Sequence, residues 1–275
     1  MIGAIIGDIV GSRFERSNCK SVDFELFTEK CHFTDDTVMT LAVAKALLES
    51  DGDLNVLSAN AVKCMQEIGR RYPNCGYGQM FWLWLHKRNS KPYNSLGNGS
   101  AMRVSPVAYA AETMEQCLDF SDAVTNVSHN HHQGVLGAQA AAAATWAALH
   151  DWSKQEIGAL IQDQFYDLSF TIDELRPHYR FDATCQGSVP QAIKAFLESN
   201  DFEDAIRLAV SIGGDSDTIA AIAGGIGGAY YGVPDQLRAK AMEYLPEDLR
   251  DILVEFEATY RFRNFVRESG QHITE

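Results

Sequence analysis

The sequence contains few cysteines and few basic residues, and both shortages limit what the protein can be. Its six cysteines among 275 residues include no C-x-x-C pair. A chain of this length buries roughly 75% of its unfolded surface and needs no covalent staples, so we expect reduced thiols in a cytoplasmic protein. Lysine and arginine number 23 against 37 aspartates and glutamates, which gives a net charge of −14. Because such a surface repels phosphate backbones, we expect no nucleic-acid partner.

Long hydrophobic runs are also missing. The first residues, MIGAIIGDIVGSRFE, have no basic segment before the apolar part, and Asp8 interrupts that part, so we do not expect a secretory leader. The other apolar stretches are rich in alanine and glycine or are broken by polar residues. We therefore expect no membrane span and no membrane partner.

Alternation typical of β-strands is weak everywhere, whereas apolar residues recur at helical spacing. This spacing predicts helices over 36–50, 135–149, 186–198, 201–211, 217–231 and 247–266. No linker, charge block or low-complexity segment divides the sequence. We therefore predict an all-α fold of about a dozen helices, with residues 1–275 forming one domain.

Two of these segments contain little side-chain bulk. They are GAQAAAAATWAAL (137–149) and AAIAGGIGGAYYG (220–232). Since glycine inside a helix costs about 1 kcal/mol relative to alanine, its presence there needs a reason. Two interpretations are open: a close contact between helix backbones, or a hydrated face that lines a ligand site.

The segment HFTDDTVMTLAVAKALL, which begins at His32, places two aspartates and two threonines directly before an apolar helix. Capping explains part of this pattern, because Thr34 can cap the helix and the helix dipole stabilises carboxylates in the first turn. Thr37 is interpreted as a helix-packing residue. Taken alone, the segment favours capping over a metal site.

A second acidic stretch follows a double glycine at 213–214, which permits a tight turn. It places Asp215, Asp217 and Thr218 at the start of another apolar helix. If both helix starts point to one spot, four carboxylates converge and raise one another's pKa values. Two divalent cations would neutralise that charge, and oxygen donors suit Mg²⁺ or Mn²⁺. Together the stretches favour a two-metal centre with ions about 3.5–4 Å apart.

Five stretches occur in an order that carries a family resemblance. They are GAIIGDIVGSRFE (3–15), FTDDT (33–37), GNGSAMRVSP (97–106), SHNHHQGVLGA (128–138) and GGDSDTIAAIAGG (213–225). In these motifs the chain resembles the ADP-ribosylglycohydrolases, which include the dinitrogenase reductase-activating glycohydrolases and the ADP-ribosyl-acceptor hydrolases. The resemblance implies a compact, orthogonal all-α bundle, expected to be a monomer, with a dinuclear Mg²⁺ (or Mn²⁺) site in a central cleft.

Carried over by position, the resemblance implies metal ligands and catalytic groups in this chain. The implied ligands are Thr34, Asp35, Asp36, Asp215, Asp217 and Thr218. Asp36 is also implied as a catalytic residue, together with Glu15 at the end of the first motif. Glu15 would orient or deprotonate the attacking water, with metal activation supplying most of the chemistry. The alternative for Glu15 is an exposed glutamate in the charged turn RFERSN.

The resemblance also assigns a glycine-rich segment, 93–103, to substrate binding. Backbone N–H groups at a helix start bind phosphate oxygens, which suits the diphosphate of ADP-ribose. The implied contacts are Gly78, Gly97, Asn98, Gly99, Ser100, Met102 and His129. Two points are open: Arg103 fits an internal carboxylate as well as the substrate, and the histidines of SHNHHQG would on chemistry alone also suit zinc.

The implied reaction is hydrolysis at C1″ of ADP-ribose by metal-activated water, through an oxocarbenium-like state. The substrate is expected to be an ADP-ribosylated protein or a small ADP-ribosyl compound. Three alternatives are a two-metal phosphohydrolase that cleaves the pyrophosphate, an inactive ADP-ribose-binding protein, and a structural protein like some relatives in eye lenses. The motifs do not specify the acceptor, which is arginine, serine or an acetyl ester in relatives; residues 71–85 and 174–192 are expected to line its side of the cleft.

Overall fold

Helices form nearly all the regular structure in the computed structural model, which describes residues 1–268, with side chains through residue 260. Within that range there is no β-strand, only an isolated bridge between Gly97 and Thr184. In residues 1–268, two 3₁₀ turns, Ser12–Phe14 and Asn98–Ser100, accompany fourteen α-helices. The helices are α1 Ile2–Gly11, α2 Asp35–Ser50, α3 Leu54–Arg71, α4 Gln79–His86, α5 Ser105–Ala110, α6 Met114–Thr125, α7 His132–Leu149, α8 Lys154–Gln164, α9 Ile172–Leu175, α10 Cys185–Glu198, α11 Phe202–Ile212, α12 Ser216–Tyr231, α13 Asp235–Tyr244 and α14 Glu247–Glu268.

The all-α prediction is confirmed, and each of the six helices predicted from apolar spacing is present. The largest difference at a helix start is in α7, which begins before the predicted 135 because its first residues, His132 and Gln133, are polar. That residues 1–275 form one domain stays a prediction, and residues 269–275 lie outside the described residues.

Side-chain caps fix where many helices begin. Thr34, Thr113 and Asp201 each accept a hydrogen bond from a backbone N–H in the first turn of α2, α6 and α11. Ser153 forms a reciprocal capping box with Glu156 at the start of α8. Each cap contributes about 1 kcal/mol to helix stability. The capping role predicted for Thr34 is confirmed.

The two helices α1 and α12 meet backbone to backbone. A Cβ atom on Gly7 would lie 2.0 Å from the Ala220 carbonyl oxygen, and one on Gly224 would lie 2.3 Å from the Gly3 carbonyl oxygen. Only glycine permits this approach. Of the two interpretations of the glycine-rich run 220–232, the close helix contact is therefore confirmed.

Two expectations about thiols and membranes can be compared with the structure. All six cysteines are free, as expected of reduced thiols. None of the helices described within residues 1–268 is both long enough and apolar enough to cross a membrane.

The packing of α1, α2 and α12 positions the functional residues. Helix α2 contacts both α1 and α12. Residue Asp8, near the end of α1, therefore lies beside the first turns of α2 and α12, where the two acidic stretches of the sequence are found.

Candidate active site

A cleft of about 1050 Å³ opens over the first turns of α2 and α12. Residues from the segments 12–16 and 93–103 line it, together with His129. The segments 71–85 and 174–192, which were expected to line the cleft, each contribute residues to its walls. The cleft is large enough for a dinucleotide-sized ligand.

Three buried carboxylates from three different helices lie below the cleft. Asp8 of α1, Asp36 of α2 and Asp217 of α12 each place one carboxylate oxygen within 4.8 Å of the others. Asp8 is completely inaccessible to solvent, and Asp36 and Asp217 are 3% and 5% exposed. Among the described residues the histidines of 129–132 do not form such a group, so the zinc interpretation of that stretch is not supported.

Asp8 is the hydrogen-bond acceptor for the start of α2. Its Oδ2 atom accepts from the backbone N–H groups of Thr34 and Thr37 at 2.9 and 3.1 Å, and from the Thr37 hydroxyl at 2.5 Å. Its Oδ1 atom accepts from the Thr34 hydroxyl at 2.7 Å. These four bonds satisfy a carboxylate that apolar α1 would otherwise bury at high energetic cost. Thr37, interpreted from the sequence as a packing residue, is therefore also a hydrogen-bond donor.

Further hydrogen bonds connect α2, α12 and the glycine-rich segment. The Thr218 hydroxyl donates to Asp36 Oδ2 at 3.2 Å, and the Thr218 backbone N–H donates to Asp217 Oδ1 at 3.0 Å. The Asn98 side-chain amide donates to Asp215 Oδ2 at 2.7 Å. The starts of both helices are therefore fixed relative to the segment that was expected to bind diphosphate.

The negative charges of these carboxylates repel one another. Burial raises the pKa of Asp36 well above its ordinary value, and the charge of Asp217 raises it further. Burial also raises the pKa of Asp217 well above its ordinary value, and the charge of Asp215 raises it further. The Oδ1 atom of Asp36 is buried and has no hydrogen-bond partner. A divalent cation fits this group, because it would neutralise the carboxylates and give that oxygen a partner.

Asp35 and Glu15 lie on the walls of the same cleft and are half-buried. The Asp35 backbone N–H donates to the Cys75 carbonyl at 2.7 Å. Burial raises the pKa of Asp35 well above its ordinary value, and the charge of Asp8 adds to the effect. Glu15 follows the turn Ser12–Phe14 and lines the cleft, and its intermediate burial differs from the exposed glutamate of the alternative interpretation.

All six ligands implied by the resemblance line this one cleft. They are Thr34, Asp35, Asp36, Asp215, Asp217 and Thr218. Sequence reasoning missed Asp8, which was considered only as an interruption of an apolar stretch. The signal was present, because a single aspartate within the apolar helix IGAIIGDIVG must find partners if that helix is buried.

Six of the seven residues implied in substrate binding also line the cleft. They are Gly78, Gly97, Asn98, Gly99, Met102 and His129. Ser100 differs, because it is completely buried and its hydroxyl donates to the Gly134 carbonyl at 2.7 Å. The structure therefore does not bring the Ser100 side chain to the ligand space.

Arg103 is also completely buried. Its Nη2 atom donates to the Val124 carbonyl at 3.0 Å and to the Ser128 hydroxyl at 2.8 Å. Its guanidinium carbon lies 5.4 Å from the centre of the Phe81 ring. No ion pair within residues 1–260 involves it, so the internal carboxylate considered from the sequence is not its partner.

Several known proteins are similar to this chain. Residues 1–265 match the family model described as ADP-ribosylglycohydrolase. ADP-ribosylhydrolase ARH3 of Mus musculus is 25% identical, over 94% of this chain and 87% of its own length. ADP-ribosylarginine hydrolase Tri1 of Pseudomonas putida (strain GB-1) is 28% identical, over 85% of this chain and 70% of its own length. A solved structure called an ADP-ribosylglycohydrolase-related protein complex has a similar fold, with a TM-score of 0.67 at 22% identity, covering 94% of this chain and 95% of that one.

The family match spans the motifs that form the cleft as well as the helices that carry them. The six ligands implied by the resemblance line one cleft, and the relatives ARH3 and Tri1 are hydrolases by name. The chain belongs to the ADP-ribosylglycohydrolase family and is a glycohydrolase enzyme.

Proposed function

We propose that this protein hydrolyses the bond between C1″ of ADP-ribose and an acceptor, with two Mg²⁺ or Mn²⁺ ions as cofactors. The observation that carries the proposal is the convergence of the two acidic stretches under one cleft, with Asp36 Oδ1 left without a protein partner. Carboxylate and hydroxyl oxygens gathered in this way suit a pair of divalent cations, whose charge offsets the repulsion between the carboxylates.

Each residue of the site has a role in this proposal. The cations would be held by Thr34, Asp35, Asp36, Asp215, Asp217 and Thr218. When bound, they supply positive charge that neutralises the carboxylates and acidifies water near the sugar. Glu15, on the cleft wall, accepts the proton of the attacking water, and Asp36 orients that water from below. As the water oxygen bonds to C1″, the bond from C1″ to the acceptor breaks, and the acceptor leaves with that electron pair and takes up the proton that Glu15 received. The backbone N–H group of Gly99 binds the diphosphate, and Gly78, Gly97, Asn98, Met102 and His129 complete the ligand contacts.

The substrate class is an ADP-ribosylated protein side chain or a small ADP-ribosyl compound. The name of the relative Tri1 puts arginine-linked ADP-ribose among the first substrates to test. We further propose that residues 1–275 act as one domain in a monomeric, cytoplasmic protein, in which the six free thiols stay reduced.

The test is product analysis with the full chain. Arginine-linked, serine-linked and acetyl-linked ADP-ribose are each incubated with Mg²⁺, Mn²⁺ or a chelator, and products are identified by mass spectrometry. We expect intact ADP-ribose from at least one substrate, and only with a divalent cation. AMP in place of ADP-ribose would instead identify a phosphohydrolase that cleaves the pyrophosphate.

Variants connect the activity to the acidic stretches. Asp35→Ala and Asp217→Ala should each lower kcat at least 100-fold, since each removes a proposed ligand. Asp163→Ala is the matched control, because Asp163 is an exposed aspartate on α8. Undiminished release of ADP-ribose by either site variant would refute the metal-centred proposal.

A further inference from the structure

Three buried polar side chains, two of which belong to residues that line the cleft, form a line at the cleft wall. The Nη2 atom of Arg103 donates to Ser128 Oγ at 2.8 Å, and Ser128 Oγ lies 2.8 Å from His129 Nδ1. Arg103 and Ser128 are completely buried, and His129 is 4% exposed where it lines the cleft. Neither Arg103 nor Ser128 is among the proposed metal ligands, catalytic residues or ligand contacts.

The direction of these bonds follows from what each group can donate. A guanidinium only donates, so Ser128 Oγ must accept from Arg103. The Ser128 hydroxyl hydrogen then needs an acceptor, because a buried hydroxyl left unpaired is costly. Among the hydrogen bonds of the described residues, His129 Nδ1 is the acceptor within its reach. His129 Nδ1 is therefore unprotonated, and the ring hydrogen is on Nε2.

The position of Nε2 explains what this tautomer can do. A Cβ atom on Gly99 would lie 3.1 Å from His129 Nε2, and one on Gly97 would lie 3.9 Å from it. No hydrogen bond within residues 1–260 involves Nε2, so its N–H is free for a ligand over the glycine-rich segment. The rings of Phe81 and Tyr93, with centroids 6.1 and 5.7 Å away, restrict rotation of the imidazole.

Electrostatics keeps the ring neutral. Burial lowers the pKa of His129 well below its ordinary value, and the positive charge of Arg103 lowers it further. A neutral imidazole whose Nδ1 accepts from Ser128 presents one donor and no acceptor to the cleft. It suits an oxygen that only accepts, as a diester phosphate oxygen does, and it is unsuited to removing a proton from water.

We propose that Arg103 and Ser128 are positioning residues that fix His129 as the Nε2–H tautomer, so that it is a permanent hydrogen-bond donor to an anionic oxygen of the bound ligand. Under the proposed function that oxygen belongs to the diphosphate of ADP-ribose, and this identification of the ligand rests on that function. The tautomer itself does not depend on the ligand.

The direct test is nitrogen NMR of the ligand-free full chain, with ¹⁵N-labelled histidine and the His129→Gln variant for assignment. We expect His129 to show an unprotonated Nδ1 and a protonated Nε2 across neutral pH. In Ser128→Ala we expect a mixture of both tautomers, because the donor to Nδ1 is gone. A protonated Nδ1 in the parent protein, or an unchanged pure Nε2–H tautomer in Ser128→Ala, overturns the proposal.

A matched pair of amides tests the consequence for binding. The side-chain N–H of His129→Gln reaches the place of Nε2, whereas that of His129→Asn reaches only the place of Nδ1. Calorimetry with ADP-ribose as the probe should give an affinity about tenfold weaker for His129→Asn than for His129→Gln, as expected for one bond to a charged group. Equal affinities would contradict the donor role.

The two proposals fail separately. The Nε2–H tautomer together with no hydrolysis of any substrate in the panel would remove the proposed function and leave the positioning role standing. Hydrolysis together with a protonated Nδ1 would do the reverse. In Ser128→Ala we also expect KM to rise severalfold with kcat nearly unchanged, whereas general loss of structure would lower both thermal stability and kcat.

Discussion

At the scale of single residues, Asp8 determines which hydrogen-bonding groups the site can offer to a cation. The Thr34 hydroxyl donates to Asp8 Oδ1 and accepts from the Asp36 backbone N–H at 3.2 Å. A hydroxyl has one hydrogen and two lone pairs, so one lone pair of Thr34 remains free. The carboxylate of Asp8 thus leaves Thr34 able to bind a cation, although Asp8 itself is already satisfied by four donors.

Asp8→Asn should therefore fold yet bind divalent cations poorly. Its amide oxygen can still face the three donors at the Oδ2 position, but its NH₂ group then faces Thr34, whose hydroxyl must accept. This uses the free lone pair of Thr34. We expect the affinity for Mn²⁺, measured by calorimetry, to fall about 10–100-fold, with a change in thermal stability that is small by comparison. Asp163→Asn is the control, and an unchanged Mn²⁺ affinity in Asp8→Asn would exclude this role.

Which residues could be predicted from sequence depends on where their partners lie. The cap at Thr34 was predictable because its partner, the Asp36 N–H, is two residues away. The sequence indicates that Asp8 needs partners but not which ones, because its donors are 26 and 29 residues away and meet it only after α1 and α2 pack. The direction of the Ser100 side chain depends likewise on Gly134, in a helix that local spacing cannot place.

At the scale of elements, the contact of α1 with α12 controls where Asp8 and Asp217 lie. Gly7→Ala would place a Cβ atom 2.0 Å from the Ala220 carbonyl oxygen, so the helices must separate. We expect the free energy of unfolding, measured by denaturant titration, to fall by about 3 kcal/mol. Activity should fall with it, because Asp8 follows Gly7 directly.

Gly158→Ala in α8 is the matched control for this substitution. Its Cβ atom would meet only the Leu197 side chain, at 3.5 Å, which is an ordinary contact. Because alanine is the better helix former, we expect this variant to gain about 0.5–1 kcal/mol. If Gly7→Ala were as stable as Gly158→Ala, the close contact of α1 with α12 would be disproved.

Residues 18–20 connect the segment of Glu15 to the turn before α12. The Lys20 ammonium donates to the Arg176 and Tyr179 carbonyls, each at 2.9 Å, and to the Ile212 carbonyl. Asn18 Oδ1 accepts from the Gly214 N–H at 2.7 Å. Residues 18–20 therefore hold both the segment 176–181, whose Phe181 lines the cleft, and the turn that carries Asp215.

Lys20→Met should loosen these elements while the rest of the molecule keeps its structure. We expect faster amide hydrogen exchange in residues 176–184 and 213–215, measured by mass spectrometry, because three carbonyls lose a charged donor. Lys91→Met, at an exposed lysine, should leave exchange unchanged in both segments. The same exchange rates in both variants would contradict the role of Lys20.

The elements were more predictable from sequence than their arrangement. Apolar spacing predicts α2, α10 and α11 closely, because each helix carries apolar residues at helical spacing and is capped by a local side chain. Helix α1 gives a weaker signal, since all of its residues are buried and no polar face marks it. A close contact between helix backbones was one of two interpretations of the glycine pattern, and only tertiary packing distinguishes them. That α1 is the partner of α12 was not predicted.

At the scale of the whole molecule, the chain as a whole and the buried carboxylates of the site carry negative charge. The chain carries a net charge of −14, and its buried carboxylates raise one another's pKa values at the base of one cleft. The negative electrostatic potential of these groups attracts cations to the cleft. It also disfavours binding of a ligand as anionic as ADP-ribose unless cations are present. On the proposed function, the need for divalent ions would therefore depend on the charge of the entire chain as well as on the six proposed ligands.

The most direct measurement of this account is a calorimetric titration of the chelator-treated full chain with Mn²⁺, at an ionic strength that screens the exposed acidic surface. Two ions bound per chain, and loss of that binding in Asp36→Ala but not in Asp163→Ala, is the predicted result. Absence of saturable binding, or equal binding in Asp36→Ala and the parent protein, would contradict the claim that the two acidic stretches jointly hold a pair of cations.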